Sequence, residues 1–141
     1  MSARDDFLRA ETTKLLQPGE TVTNTGAVFT GPLLMSSMFG VIGQLMMLTH
    51  YYAVLTNRRL IMIETGMGFT GIKTENRGVT EIPFTDIHRV TTGGFLNQKS
   101  ITVERKNGSS LKINYNTMVR QVTGQKEFCA ALVSKLQSAA T

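Results

Sequence analysis

The sequence is poor in the residues that mark many enzymes and secreted proteins. Its 141 residues include one cysteine, Cys129, two histidines and no tryptophan. A single cysteine excludes a disulfide within the chain and a cysteine-rich zinc site. Residues 1–11 mix acidic and basic side chains and lack the apolar run of a secretory signal. We therefore expect a cytoplasmic protein, with peripheral attachment to a membrane left open.

Charged residues are also missing from one long stretch. The 37 residues 21–57 contain no Asp, Glu, Lys or Arg, although the whole chain has a net charge of +5. Within that stretch, eleven of the 16 residues from Leu33 to Leu48 are Leu, Met, Phe, Val or Ile. A helix that spans a bilayer needs about 20 apolar residues. This run is shorter and includes Gly40, Gly43 and Gln44, so we do not expect it to cross a membrane.

The remaining patterns predict one mainly β domain over residues 1–141, with a helix at each end. An amphipathic segment over residues 3–16 predicts the first helix, and a 3.6-residue apolar repeat over residues 124–138 predicts the last. On the last helix, Gln125, Lys126, Lys135 and Gln137 are expected to face solvent. Seven strands are predicted between the helices, over residues 21–29, 51–55, 60–63, 79–84, 87–92, 101–105 and 111–115.

The clearest local signal is a hairpin around Asn107-Gly108. Asn-Gly is typical of tight hairpin turns, because both central positions of the two-residue turn have positive φ. The apolar residues Ile101, Val103 and Ile113 alternate with polar neighbours on both sides of it. This alternation predicts one buried and one solvated face.

Three segments resemble the bacterial branch of the pleckstrin-homology (PH)-like domains, which are related to the GRAM and other PH-like barrels. They are Leu16-Gln17-Pro18-Gly19-Glu20, Ala53-Val54-Leu55-Thr56-Asn57-Arg58-Arg59-Leu60 and Ile82-Pro83-Phe84-Thr85-Asp86-Ile87. The resemblance covers about residues 15–138. It implies a seven-stranded barrel or orthogonal sandwich capped by the C-terminal helix. The residues of these segments also suit tight turns, since Asn57 tolerates a left-handed conformation and Asp86 can cap the turn after Pro83. We therefore expect these segments mainly to maintain the fold.

The sequence departs from this family at residues 31–49, where such domains usually have a short loop. We call residues 31–49 the apolar insert; it separates the first two strands. Eukaryotic relatives of the fold bind phosphoinositides through basic residues of the first strand and the loop after it. Since this chain has no basic residue there, that lipid site is not carried over.

Evidence for an enzyme is weak. The segment Gly66-Met67-Gly68-Phe69-Thr70-Gly71 matches a dinucleotide-binding fingerprint in form, and Asp86 lies 20 residues after Gly66. That fingerprint requires a helix that begins at the loop, whereas residues 72–84 are strand-like. His50 is expected to be a half-buried strand residue, and His88 and Asp86 lie too close in a strand to share one face. We therefore expect no catalytic residues, no cofactor and no metal site.

Basic residues suggest one candidate surface. Arg105, Lys106 and Lys112 flank the predicted hairpin and could contact an anionic membrane. Sheets that bind nucleic acid usually add aromatic side chains for stacking. These strands offer only Tyr115, so we do not expect nucleic acid as a partner.

The apolar insert is the main functional hypothesis. Because it has no charged face, it is expected to contact another copy of the chain, a membrane or the protein's own core. Methionine adapts to irregular contacts, which favours a homo-oligomer and also suits a protein partner. The alternative is a peripheral membrane adaptor that uses the insert and the basic hairpin. The predicted interface residues are Leu34, Met35, Met38, Phe39, Ile42, Leu45 and Met46.

Overall fold

The computed structural model describes residues 3–31, 48–68, 71–95, 98–117 and 124–140. Within these ranges it contains helices α1 (Ala3–Leu15) and α2 (Gln125–Ala139). The strands are β1 (Val22–Thr30), β2 (Thr49–Thr56), β3 (Arg59–Thr65), β4 (Met67–Gly68), β5 (Gly71–Ile72), β6 (Gly78–Pro83), β7 (Ile87–Phe95), β8 (Gln98–Arg105) and β9 (Ser110–Asn116).

Seven of these strands form one antiparallel sheet in the order β6-β3-β2-β1-β9-β8-β7. The central junction is narrow, since β1 and β9 pair only at Phe29 and Asn114. The sheet therefore has a four-stranded half and a three-stranded half, which meet at that junction. The predicted mainly β fold with seven strands and a helix at each end is confirmed.

One local prediction needs correction. None of the seven predicted strands includes residues 66–71, but β4 and β5 pair there as a small separate two-stranded sheet. The strand over residues 79–84, which the sequence predicts to break at Pro83, ends at that residue, and Phe84–Asp86 form a turn of 3-10 helix. Pro83 still pairs with Arg59, and the Phe84 N–H donates to the Arg58 carbonyl at 3.0 Å, so the strand ends where the 3-10 turn begins.

The hairpin predicted at Asn107-Gly108 is present. Ile101 lies opposite Ile113 and Val103 opposite Leu111, and all but the partly buried Leu111 are buried. The turn spans residues 106–108 and is one residue longer than the two-residue form, because the Arg105 N–H still donates to the Ser109 carbonyl at 2.8 Å. Gly108 has φ +93°, a left-handed conformation that glycine adopts without steric cost.

Helix α2 closes the inner side of the sheet. Phe128, Leu132 and Leu136 are completely buried and pack with apolar side chains from both halves of the sheet. This agrees with the apolar stripe that the sequence predicts. Gln125 does not follow the prediction, because it is buried instead of facing solvent.

A second apolar cluster lies on the outer side of the four-stranded half. Leu8 of α1 and Ile72 of β5 pack there on Tyr52, Val54 and neighbouring strand residues. The Tyr52 ring contacts Phe7 with 5.5 Å between ring centroids, and its hydroxyl donates to the Lys73 carbonyl at 2.9 Å. Strands β2 and β3 are thus packed on both faces.

Candidate functional site

The apolar insert leaves and re-enters the sheet at two directly opposed residues. Thr30, the last residue of β1, pairs with Thr49, the first residue of β2. The insert is therefore an extension of the β1–β2 hairpin and interrupts neither strand. Residues 32–47, which include the predicted interface residues Leu34, Met35, Met38, Phe39, Ile42, Leu45 and Met46, lie outside the described residues.

The base of the insert is well packed. His50 is buried in β2, and its ring lies 6.1 Å from that of Phe29 on β1. Leu48, which immediately precedes β2, is also buried. The sequence predicts a half-buried histidine at position 50, and the structure buries it further, opposite Phe29 in the β1–β2 pair. The insert thus starts from a firmly held pair of strands.

The three cations of the predicted basic hairpin do not share one face. Arg105 Nε donates to Oδ2 of Asp86 at 2.5 Å, and Nη2 of the same guanidinium lies 2.5 Å from that oxygen in an ion pair. Lys106 is exposed in the turn. Lys112 is exposed and lies opposite Thr102, so it is on the outer face of the hairpin. Arg105 is two residues after Val103 in β8 and therefore lies on the other face, together with the buried Val103. Contact of these residues with an anionic surface stays a prediction.

The solvent-facing side of β7 and β8 carries a further ion pair. Arg89 Nε donates to Glu104 Oε2 at 2.5 Å, and both side chains are well exposed. Arg89 lowers the pKa of the Glu104 carboxyl, and Glu104 raises that of the Arg89 guanidinium. Because exposed pairs are screened by water, this one adds little to stability.

Two of the three sequence segments that carry the family resemblance meet at one buried ion pair. Arg59 donates to both carboxylate oxygens of Glu20, at 2.8 and 2.9 Å. The Glu20 side chain is 0% exposed and that of Arg59 is 6% exposed. Glu20 also accepts hydrogen bonds from the Thr56 hydroxyl at 2.7 Å and the Gln17 backbone at 2.9 Å. Chiefly because of Arg59, the pKa of Glu20 falls to about 2.

Arg59 extends this network to two more elements. It donates to the Leu15 carbonyl at the end of α1, at 2.6 Å, and to the carboxylate of Glu81 on β6. The third resemblance segment joins through the backbone, since the Phe84 N–H donates to the Arg58 carbonyl at 3.0 Å. The network fixes α1 and the β2–β3 turn to the end of the sheet. This supports a fold-maintaining role for all three segments.

The sequence did not reveal that Arg59 is buried. Its neighbour Arg58 is exposed, and nothing in the composition distinguishes the two. One signal was available: alternation along β3 places Arg59 on the same face as Ile61 and Ile63, both of which are buried.

Asp86 also differs from its predicted role, because its carboxylate binds Arg105 and no side chain caps the turn after Pro83.

The other chemical candidates are placed as follows. Within the described ranges, no group of three His, Cys, Asp or Glu side chains could hold a metal ion. Met67–Gly68 and Gly71–Ile72 form the paired strands β4 and β5, where a dinucleotide fingerprint requires the start of a helix. Cys129 is buried on α2, and this burial raises the pKa of its thiol to about 11. A thiol in such a setting is a poor nucleophile.

Neither α1 nor α2 is long and apolar enough to cross a membrane, and the same holds throughout the described part of the chain.

The antiparallel sheet closed by a C-terminal helix defines a PH-like fold. A similar solved structure is the hSac2 domain from human phosphoinositide phosphatase Sac2, with a TM-score of 0.55 and 11% sequence identity. The match covers 99% of this chain and 83% of that one, and at this identity it shows the fold alone. No curated protein matches the sequence. The family model described as "Bacterial PH domain" matches residues 30–124, and the chain belongs to that family.

Proposed function

We propose that this bacterial PH domain is a non-catalytic binding module that self-associates through the apolar insert, residues 31–49. The observation that carries the proposal is the way in which the insert joins the sheet. It is an uncharged, methionine-rich extension of a hairpin whose two strands remain directly paired at Thr30 and Thr49. The family model includes these residues in its match.

Packing at the base of the insert supports an external partner. On β2, Ala53 and Leu55 belong to the inner cluster with α2, whereas Tyr52 and Val54 belong to the outer cluster with α1. Described elements therefore pack on both faces of the strand that follows the insert. Apolar side chains that are not part of such packing gain most by burying their surface against a partner.

A second copy of the chain is favoured over a membrane because of the hairpin cations. A peripheral adaptor gains from cations that face the bilayer together. Here Arg105 is already paired with Asp86, and Lys112 lies on the face of the hairpin opposite to that of Arg105. The membrane alternative then depends mainly on the insert, with at most the exposed Lys106 and Lys112 contributing charge.

The experiment is a loop replacement that leaves every described residue in place. Residues 32–47 are exchanged for Asn-Gly, so that Gly31 and Leu48 complete a four-residue link between Thr30 and Thr49. Links of this length are common in hairpins. We expect light scattering to give an oligomer for the wild-type chain at micromolar concentration and a monomer for the variant. A similar cooperative melt by circular dichroism shows that the variant remains folded.

The contrary outcomes are distinct. A monomeric wild-type chain at high micromolar concentration without detergent contradicts self-association. If that monomer also floats with vesicles of phosphatidylcholine and phosphatidylglycerol, and the loop-replaced chain does not, the adaptor function is correct instead. An oligomer that persists after the replacement places the interface elsewhere on the domain.

A further inference from the structure

We draw no further inference here: the strongest candidate, the exposed cations Arg58 and Lys106 on either side of the turn Phe84–Asp86, lies beside the acidic residues Glu81 and Asp86, and nothing in the structure points to an anion bound there.

Discussion

The aromatic ring of Phe128 fills the space in which a β-carbon on Gly26 would stand. A β-carbon built at that position would lie 2.3 Å from Cδ2 of Phe128 and 2.8 Å from Oε1 of Gln125. The same Gln125 amide binds both backbone groups of Ala27, at 2.7 and 2.9 Å, and the Asn116 carbonyl at 3.2 Å. Helix α2 therefore packs across the narrow junction between β1 and β9. The absence of a side chain at position 26 permits the close contact between Phe128 and β1.

Gly26→Ala is expected to lower the free energy of unfolding by about 1–3 kcal/mol, since the added methyl group forces the buried Phe128 ring to move. Chemical denaturation measures the change. Gly93→Ala is the matched control, because the nearest atom there, Ser100 Oγ, is 3.3 Å from the added carbon. The double variant Gly26→Ala/Phe128→Leu should lose less than the two single changes added together. Strict additivity would show that the two residues do not compete for the same space.

Phe128→Ala is expected to reduce the free energy of unfolding by about 3–5 kcal/mol, through lost burial and the cavity that remains. The ring is completely buried in the inner cluster. The controls Lys126→Ala and Lys135→Ala, on the exposed face of α2, should each change the free energy by less than about 0.5 kcal/mol. Similar losses in all three variants would mean that α2 does not close the sheet as described.

The elements found in the sequence are those whose signals are local. Alternation around Asn107-Gly108 and the repeat of Phe128, Leu132 and Leu136 each depend on neighbouring residues, and both were predicted correctly. The outer cluster was missed, because it forms only when α1 folds back over β2 and β3. The sequence signal for the outer cluster was the continuous apolar run from Leu60 to Ile63, which is typical of a strand buried on both faces.

Polar residues in buried positions were the harder part of the site. Gln125 stands just before an apolar stripe, and glutamine is usually exposed in such a position. Here its side-chain amide bonds to Ala27 of β1 and Asn116 of β9, beyond the single position at which the two strands pair. Glu20 and Arg59 are 39 residues apart in sequence, and their pairing depends on the fold. Residue types alone do not reveal such partners, since the same residues are most often exposed.

Glu20→Gln is expected to destabilise the fold by about 3–5 kcal/mol at neutral pH, because it leaves the buried Arg59 with one carboxylate fewer. Urea denaturation measures the loss. Glu104→Gln is a suitable control: it breaks an exposed pair with Arg89, and its effect on the free energy of unfolding should be far smaller because water screens that pair. Equal effects from the two changes would contradict the role of the buried network.

Acid should weaken the same contact in a defined range. The pKa of Glu20 is about 2 in the folded chain, against an ordinary value of 4.5. A lowered carboxyl pKa stabilises the folded state above pH 4.5, and this contribution disappears as the pH falls from 4.5 towards 2. The difference corresponds to roughly 3 kcal/mol. Between pH 7, 4.5 and 3, the free energy of unfolding measured by denaturation should fall more steeply for the wild-type chain than for Glu20→Gln. Parallel curves for the two chains would show that Glu20 does not cause the acid dependence.

Substitution of the three hairpin cations should have two different effects, on lipid binding for Lys106 and Lys112 and on stability for Arg105. If this surface contacts anionic lipid, Lys106→Gln and Lys112→Gln should each weaken binding to phosphatidylglycerol vesicles by about 1 kcal/mol, and binding should fall as salt rises. Arg105→Gln should mainly lower stability, by up to about 1 kcal/mol, because Asp86 loses its partner. Vesicle flotation at two salt concentrations and thermal melts distinguish these effects. Absence of binding at low salt removes the lipid contact.

The apolar insert gives the most direct test by substitution. Exchanging Met38, Phe39 and Ile42 for Ser removes three large apolar side chains from the proposed interface. If they are buried between subunits, each contributes about 1.5–3 kcal/mol, so the dissociation constant should rise at least about a hundredfold. Analytical ultracentrifugation over a concentration series measures the shift. The control, Ser36→Ala with Ser37→Ala, changes the same segment without removing apolar surface and should remain associated. If the Ser-substituted chain keeps the wild-type mass at every concentration, these three residues do not form the interface.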